Sequence, residues 1–167
     1  MSPLENRRPA IAPSHPPHQV SVRQAVLADV PVVAPLFDAY RQFYGRAPDL
    51  AAAESFLRER FGHGESIVFL AHAAEVPVGF TQLYPSFSSV SLARVFILND
   101  LFVAPGLRRA GVGSALLDAA IAYARSFGAV RVTLNTDIAN TTAQSVYEAR
   151  GWKRDSEYYA YHFAPNG

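Results

Sequence analysis

Residues 98–114 constrain this chain more than any other stretch. A strand-like apolar run ends at Leu101-Phe102-Val103, a turn carries Pro105 and Gly106, and a helical pattern starts near Gly111. Between turn and helix, Arg108, Arg109, Ala110, Gly111, Val112, Gly113 and Ser114 contain the pattern R-x-x-G-x-G at Arg108–Gly113. A glycine has no Cβ to hold a bulky anion off the main chain. A helix start adds exposed amide N–H groups and a favourable field of about 0.3–2 kcal/mol per anionic partner. The junction reads as a cradle for a diphosphate, against the alternative of an ordinary glycine-containing turn. A Walker loop is excluded, because it needs a lysine after its glycines. The dinucleotide fingerprint is excluded too, since Leu116 stands where its third glycine would be.

Composition narrows the rest. A chain of 167 residues buries roughly 70% of its unfolded surface as one domain. Hydrophobic residues at 50% against 17% charged suit a globular chain. The five prolines within residues 1–18, with no apolar periodicity around them, mark a disordered tail ahead of a domain over residues 19–167. A formal charge of +1 gives no support for nucleic acid as a partner. The absence of cysteine excludes disulfides and thiolate chemistry, and the five histidines show no ligand spacing, so no metal is expected. No apolar run approaches the roughly 18 residues of a membrane span, and no secretion signal opens the chain, so a cytoplasmic setting is expected.

The periodicity predicts a strand over Val20–Gln24, then a helix from Ala28 to Tyr44 with Asp29 as N-cap and Gly45 as its stop. A second helix follows over Leu50–Phe61. Strands are predicted over Ser66–His72, Val76–Tyr84 and Arg94–Val103, with a Ser-rich loop at Ser86–Ser91 before the last. Val112, Leu116, Ala120 and Ala124 define the buried face of a third helix. Val130–Leu134 reads as a further strand, Asn140 as the cap of a short helix reaching Arg150, and Trp152–Phe163 as one or two final strands. This is a mixed α/β domain with helices on both faces of a central sheet. An exposed final strand could support a homodimer.

Two further features carry chemistry. Asn99 and Asp100 interrupt a central-looking strand, where an unsatisfied polar group costs several kcal/mol. Regular alternation sends Asn99, Leu101 and Val103 to one face and Asp100 to the other; a bulge at the pair would change that. A turn between two short strands is the alternative. On the last helix Ala143, Tyr147 and Arg150 share a face, and the Tyr147 hydroxyl there could protonate a departing group or simply pack.

In this order and at these separations, Leu98–Trp152 resembles the GNAT superfamily of acyl-CoA-dependent N-acetyltransferases. The residues carrying the resemblance are Leu101-Phe102-Val103, Arg108–Gly113, Asn140, Ala143, Tyr147 and Gly151-Trp152. Leu98-Asn-Asp-Leu-Phe-Val is similar to the corresponding strand of polyamine- and histone-type acetyltransferases. The resemblance implies a mostly antiparallel, splayed sheet of six or seven strands. It implies acetyl-CoA as cosubstrate, its diphosphate on the backbone of Arg109–Ser114, its pantetheine arm along Leu101–Val103, and a contact from Asn140. Tyr147 would protonate the leaving thiolate.

Polyamine-type relatives have a glutamate where this chain has Asn99, and asparagine accepts no proton at neutral pH. Deprotonation of the acceptor is therefore expected from Asp100, or from a water ordered by Asn99. The acceptor side would be lined by Tyr40, Phe43, Tyr44, Asp49, Tyr84 and Phe87, of which the aromatics could equally belong to the core. An amine of a small molecule or peptide is the expected acceptor. Two other readings stay open: a non-catalytic acyl-CoA sensor on the same fold, and a nucleotide-binding domain unrelated to coenzyme A.

Overall fold

Seven residues of one strand, Ile67–Ala73, decide the layering. Ile67, Phe69, Ala71 and Ala73 belong to one buried cluster, while Val68 and Leu70 belong to another. A strand apolar on both faces has to be covered on both. The computed structural model describes residues 20–107 and 110–165. In chain order these form β1 (Val20–Gln24), α1 (Val30–Phe43), α2 (Leu50–Gly62), β2 (Ile67–Ala73), β3 (Val76–Ser88), β4 (Ala93–Val103), α3 (Val112–Ser126), β5 (Arg131–Thr133) and α4 (Thr141–Glu148). The sheet runs β1-β2-β3-β4-β5, antiparallel except for the parallel β4–β5 pair. Val112, Leu116, Leu117, Ala120 and Ala124 of α3 cover one face. Val30, Val33, Ala34 and Phe37 of α1, with Ala53 and Leu57 of α2, cover the other.

The α1–α2 layer is held by a buried carboxylate. Asp38 accepts hydrogen bonds from the Asp49 N–H at 3.0 Å and from Gln42 Nε2 at 2.9 Å, and pairs with Arg41 at 3.2 Å. These donors, the Asp49 N–H foremost, hold its carboxyl below the usual range. Asp49 in turn caps α2, accepting from the Ala52 N–H at 2.9 Å.

The structure departs from the sequence expectations in three places. Asp29 stands at the N-cap of α1, yet its carboxylate caps nothing there. It reaches back to the Val26 N–H at 2.8 Å and to Arg23 at 2.7 Å, because the 3₁₀ turn at Leu27–Asp29 brings those donors closer. Next, β3 continues to Ser88 through part of the expected loop, paired with β4 as far as Ala93. Finally, the sheet has five strands among the described residues, where six or seven are expected. Trp152–Phe163 forms none of them, and its Tyr158, Tyr159, Tyr161 and Phe163 are exposed. β5, the strand that precedes that segment most closely in the chain, is three residues long and presents only a short ladder to it. The final strand expected to support a homodimer is therefore not formed. The tail expected over residues 1–18 lies outside the described residues.

Gly79 marks a tight approach between β3 and β4. A Cβ built there would lie 2.6 Å from the Phe102 carbonyl oxygen, a backbone atom that cannot swing aside. Gly79→Ala is expected to destabilise the protein by about 1–3 kcal/mol through overpacking. Urea unfolding of both proteins measures this directly, and an unchanged midpoint would contradict it.

Candidate active site

On β4, Asp100 pairs with Gln82 and Leu98 pairs with Leu83, so Asn99 is an extra residue with no opposite number on β3. This is a β-bulge, and it reverses the alternation of the strand. Phe96 and Leu98 point into the α3-side core. Beyond the bulge Phe102 points into the α1–α2 core, while Leu101 and Val103 pack towards α3. Asp100 consequently faces α1. The parallel pairing with β5 ends at Ile97 and Thr133, just before the bulge. Past that point β4 and the chain beyond β5 part, leaving a cleft of about 520 Å³.

Five segments of the chain line this cleft. Leu98, Asn99, Leu101, Phe102 and Val103 form one wall, and Leu134-Asn135-Thr136 form the other. Over Leu98–Phe102 the outer edge of β4 has no strand beside it among the described residues. Gly111, Gly113 and Ser114 close one end at the start of α3. Gly111 has φ 81°, a backbone conformation that an L-residue adopts only with strain. It turns the chain so that the first amides of α3, which have no carbonyl partner within the helix, open on the cleft. A Cβ on Gly113 would sit 3.7 Å from Val103 Cγ2, so the helix start lies close against the end of β4.

Asn140, Thr142, Ala143, Val146 and Tyr147 of the α4 region add a third side. Asn140 Oδ1 accepts the Ala143 N–H at 3.2 Å and so caps α4. Its oxygen is committed to the cap, and its Nδ2 is the group left to serve a ligand. The Tyr147 ring lies 6.1 Å from Trp152. Burial, followed by the nearby Tyr44, raises the Tyr147 phenol above its ordinary value, so it keeps its proton at neutral pH.

Tyr40 and Phe43 of α1 and Tyr44 just past its end form the last side, with Tyr40 and Tyr44 in edge contact at 5.0 Å. Behind them lies a buried polar network. Asp100, 4% exposed, accepts from Gln82 Nε2 at 3.0 Å and from Asn99 Nδ2 at 3.1 Å. Tyr40 also hydrogen-bonds to it. Burial dominates these donors, and the Asp100 carboxyl titrates above its ordinary value. Gln82 Nε2 additionally reaches Tyr84 Oη at 2.6 Å. Burial first, then the Asp100 charge, pushes the Tyr84 phenol up to about 12 and raises that of Tyr40 further.

The structure thus brings together most of the residues singled out from the sequence. Leu101, Phe102, Val103, Gly111, Gly113, Ser114, Asn140, Tyr147, Asn99, Tyr40, Phe43 and Tyr44 all line the one cleft. Others stand apart. Val112 is buried in the α3 core and Ala110 is exposed on the preceding turn, so neither side chain is part of the lining. Arg108 and Arg109 lie outside the described residues. Asp100 sits behind the wall, and Tyr84 is turned into the Gln82 network. Asp49 is spent on the α2 cap, and Phe87 is exposed beneath the Arg94 guanidinium, 4.9 Å away. Sequence reasoning missed Gln82 and the Leu134–Thr136 wall. A polar residue within the apolar run Val78–Leu83 was the available signal for Gln82.

Comparison with known proteins points one way. The profile of the Acetyltransferase (GNAT) family matches residues 33–152. The uncharacterized N-acetyltransferase YhfO of Bacillus subtilis (strain 168) is 46% identical over 142 residues, covering 85% of this chain and 95% of its own. A probable acetyltransferase of Haemophilus influenzae (strain ATCC 51907 / DSM 11121 / KW20 / Rd) is 34% identical over 129 residues, 75% of this chain and 84% of its own. Among solved structures, a probable acetyltransferase superposes with a TM-score of 0.83 at 42% identity, over 88% of this chain and 99% of that one.

The double duty of Asn140 yields a prediction. Asn140→Ala removes the cap and is expected to cost about 1 kcal/mol, whereas Asn140→Asp caps as well as asparagine does. Unfolding in urea should separate the two variants; equal loss in both would contradict the capping role.

Proposed function

Because this chain belongs to the GNAT acetyltransferase family, we propose that it moves an acetyl group from acetyl-CoA to a primary amine of a small molecule or peptide, by direct attack in a ternary complex. The observation that carries this reading is the cleft itself. It joins helix-start amides, a strandless β4 edge, a protonated tyrosine and an aromatic end wall in one continuous space. The donor set suits the cosubstrate. Gly111 and Gly113 leave backbone amides bare for a diphosphate. The β4 edge offers main-chain groups to an amide-bearing arm, as a sheet edge does to an added strand. Asn140 Nδ2 would donate to the same ligand.

At the other end, Tyr40, Phe43 and Tyr44 present aromatic faces suited to an ammonium through cation–π attraction. A primary amine of pKa near 10.4 is neutral in only about one molecule in 2,500 at pH 7, so making it nucleophilic costs roughly 4.6 kcal/mol. Asn99 lines the cleft but has no basic atom, which leaves Asp100 as the nearest carboxylate. Tyr147 would protonate the departing thiolate, its burial keeping the phenol neutral until that moment. A cytoplasmic setting, with neither nucleic acid nor membrane as partner, accompanies this reading. Among the described residues no helix is long and apolar enough to cross a membrane.

Thiol-release kinetics with acetyl-CoA and a panel of primary amines, amino acids and lysine peptides test the reaction. Turnover with at least one amine is expected. Tyr147→Phe should lower kcat by roughly 100-fold, within the range general acid catalysis supplies, and leave acetyl-CoA affinity by titration calorimetry within about twofold. Unchanged kcat would remove Tyr147 from the chemistry.

A further inference from the structure

Asp100 lies behind the cleft wall and is not part of its lining. The carboxylate is nearly sealed, but two of its three hydrogen-bond partners, Tyr40 and Asn99, line the cleft. Of these only Tyr40 carries a group that can give up one proton while taking another. Resting on the acetyl-transfer reading above, we propose that Tyr40 and Asp100 form a proton wire for the acceptor amine. Tyr40 Oη takes a proton from the bound ammonium as its own hydroxyl proton passes to the Asp100 carboxylate. Tyr40 remains neutral throughout, in keeping with a phenol whose ionisation burial and the Asp100 charge both oppose.

The protons balance. The ammonium loses one proton through Tyr40 to Asp100, and the neutral amine forms the C–N bond to the thioester carbon. The C–S bond then breaks, and Tyr147 protonates the thiolate. The second proton lost by the amide nitrogen restores Tyr147, and the proton on Asp100 is released to solvent after the product leaves.

The residues around Asp100 fit a group that changes protonation state. Its surroundings are neutral: Tyr40 from α1 with Tyr44 against it, Tyr84 and Gln82 from β3, Asn99 from β4 itself. The nearest charges acting on this cluster, Arg60 of α2 and Glu65 beyond it, act on Tyr84. No ion pair to a basic side chain fixes the carboxylate as an anion among the described residues. Gln82 is fully buried, and while its Nε2 serves Asp100 and Tyr84, its Oε1 has no partner. A buried unpaired acceptor costs about 1–3 kcal/mol. Rotating the amide by half a turn would present Oε1 to a protonated Asp100 and to the Tyr84 hydroxyl. Gln82 can therefore support either state of the wire, as a positioning residue.

The test compares the full-length parent with Tyr40→Phe, Asp100→Asn and the double variant, using n-butylamine, putrescine and a lysine tripeptide as acceptors. Each single variant should lose roughly 100-fold in kcat at pH 7 with unchanged acetyl-CoA affinity. The double variant should lose no more than the worse single, because both residues serve one step. The loss should shrink from pH 7 to pH 9 as the free amine deprotonates by itself. Losses that multiply, that ignore pH, or that are absent in Tyr40→Phe would overturn the wire. Infrared difference spectra of the coenzyme A complex across a full pH titration give a readout without turnover. A protonated-carboxyl band should vanish in Asp100→Asn and shift in Tyr40→Phe; a band indifferent to Tyr40 would overturn the proposal. Silence of the parent with every amine would instead sink the acetyl-transfer reading, and the spectra would still decide whether the two residues share a proton.

Discussion

Two residues of β3, Gln82 and Leu83, face three residues of β4, Leu98, Asn99 and Asp100, and the cleft depends on that mismatch. An extra residue bends and twists its strand; β3 stays paired on both sides of it, whereas the neighbour on the other edge stops short. β5 follows β4 only from Val95 to Ile97. Where the two separate, the start of α3 and the flank of α4 are exposed to one space. The same residue resets which side chains face which layer, sending Asp100 towards Tyr40 rather than towards α3. One insertion in the ladder thus accounts both for an opening and for a carboxylate behind its wall.

The layers around the bulge pack closely on it. β4 is backed along its length by β3, and Gly79 lets the Phe102 carbonyl approach more closely than any side chain would allow. On the α1 side, Asp38 ties the end of the helix carrying Tyr40 and Tyr44 to the start of α2. On the other side, α3 buries Val112, Leu116 and Leu117 directly beneath the sheet, which fixes the height of its first amides against Val103. Side chains positioned by packed helices and a bent strand keep their geometry better than ones carried on loops.

Much of this was legible in the sequence, for local reasons. The helical recurrence of Val33, Phe37 and Tyr40 follows from a period of 3.6 residues, and the continuous apolar run of β2 marks a strand covered on both faces. The glycines at 111 and 113, the cap at Asn140 and the position of Tyr147 came from spacing along one short segment, and the cleft gathers them. The polar pair Asn99-Asp100 announced an irregularity, but not which residue would be extra. That depends on Gln82 and Leu83, some 16 residues away along the chain. The burial of Asp100 depends on Tyr40, still further off. Asp49 and Tyr84 show the reverse case, side chains with suitable chemistry taken up by a helix cap and an internal hydrogen bond. The last strands failed for a similar reason. Trp152–Phe163 has the composition of a strand, while β5 offers it three residues of edge.

Removing Asn99 alone, with titration calorimetry of acetyl-CoA against the folded deletion variant, tests the central claim most directly. If the bulge holds β4 and β5 apart, the shortened strand should pair regularly and cosubstrate binding should fall by at least about tenfold. Parental affinity in a folded deletion variant would show that the cleft does not depend on the bulge.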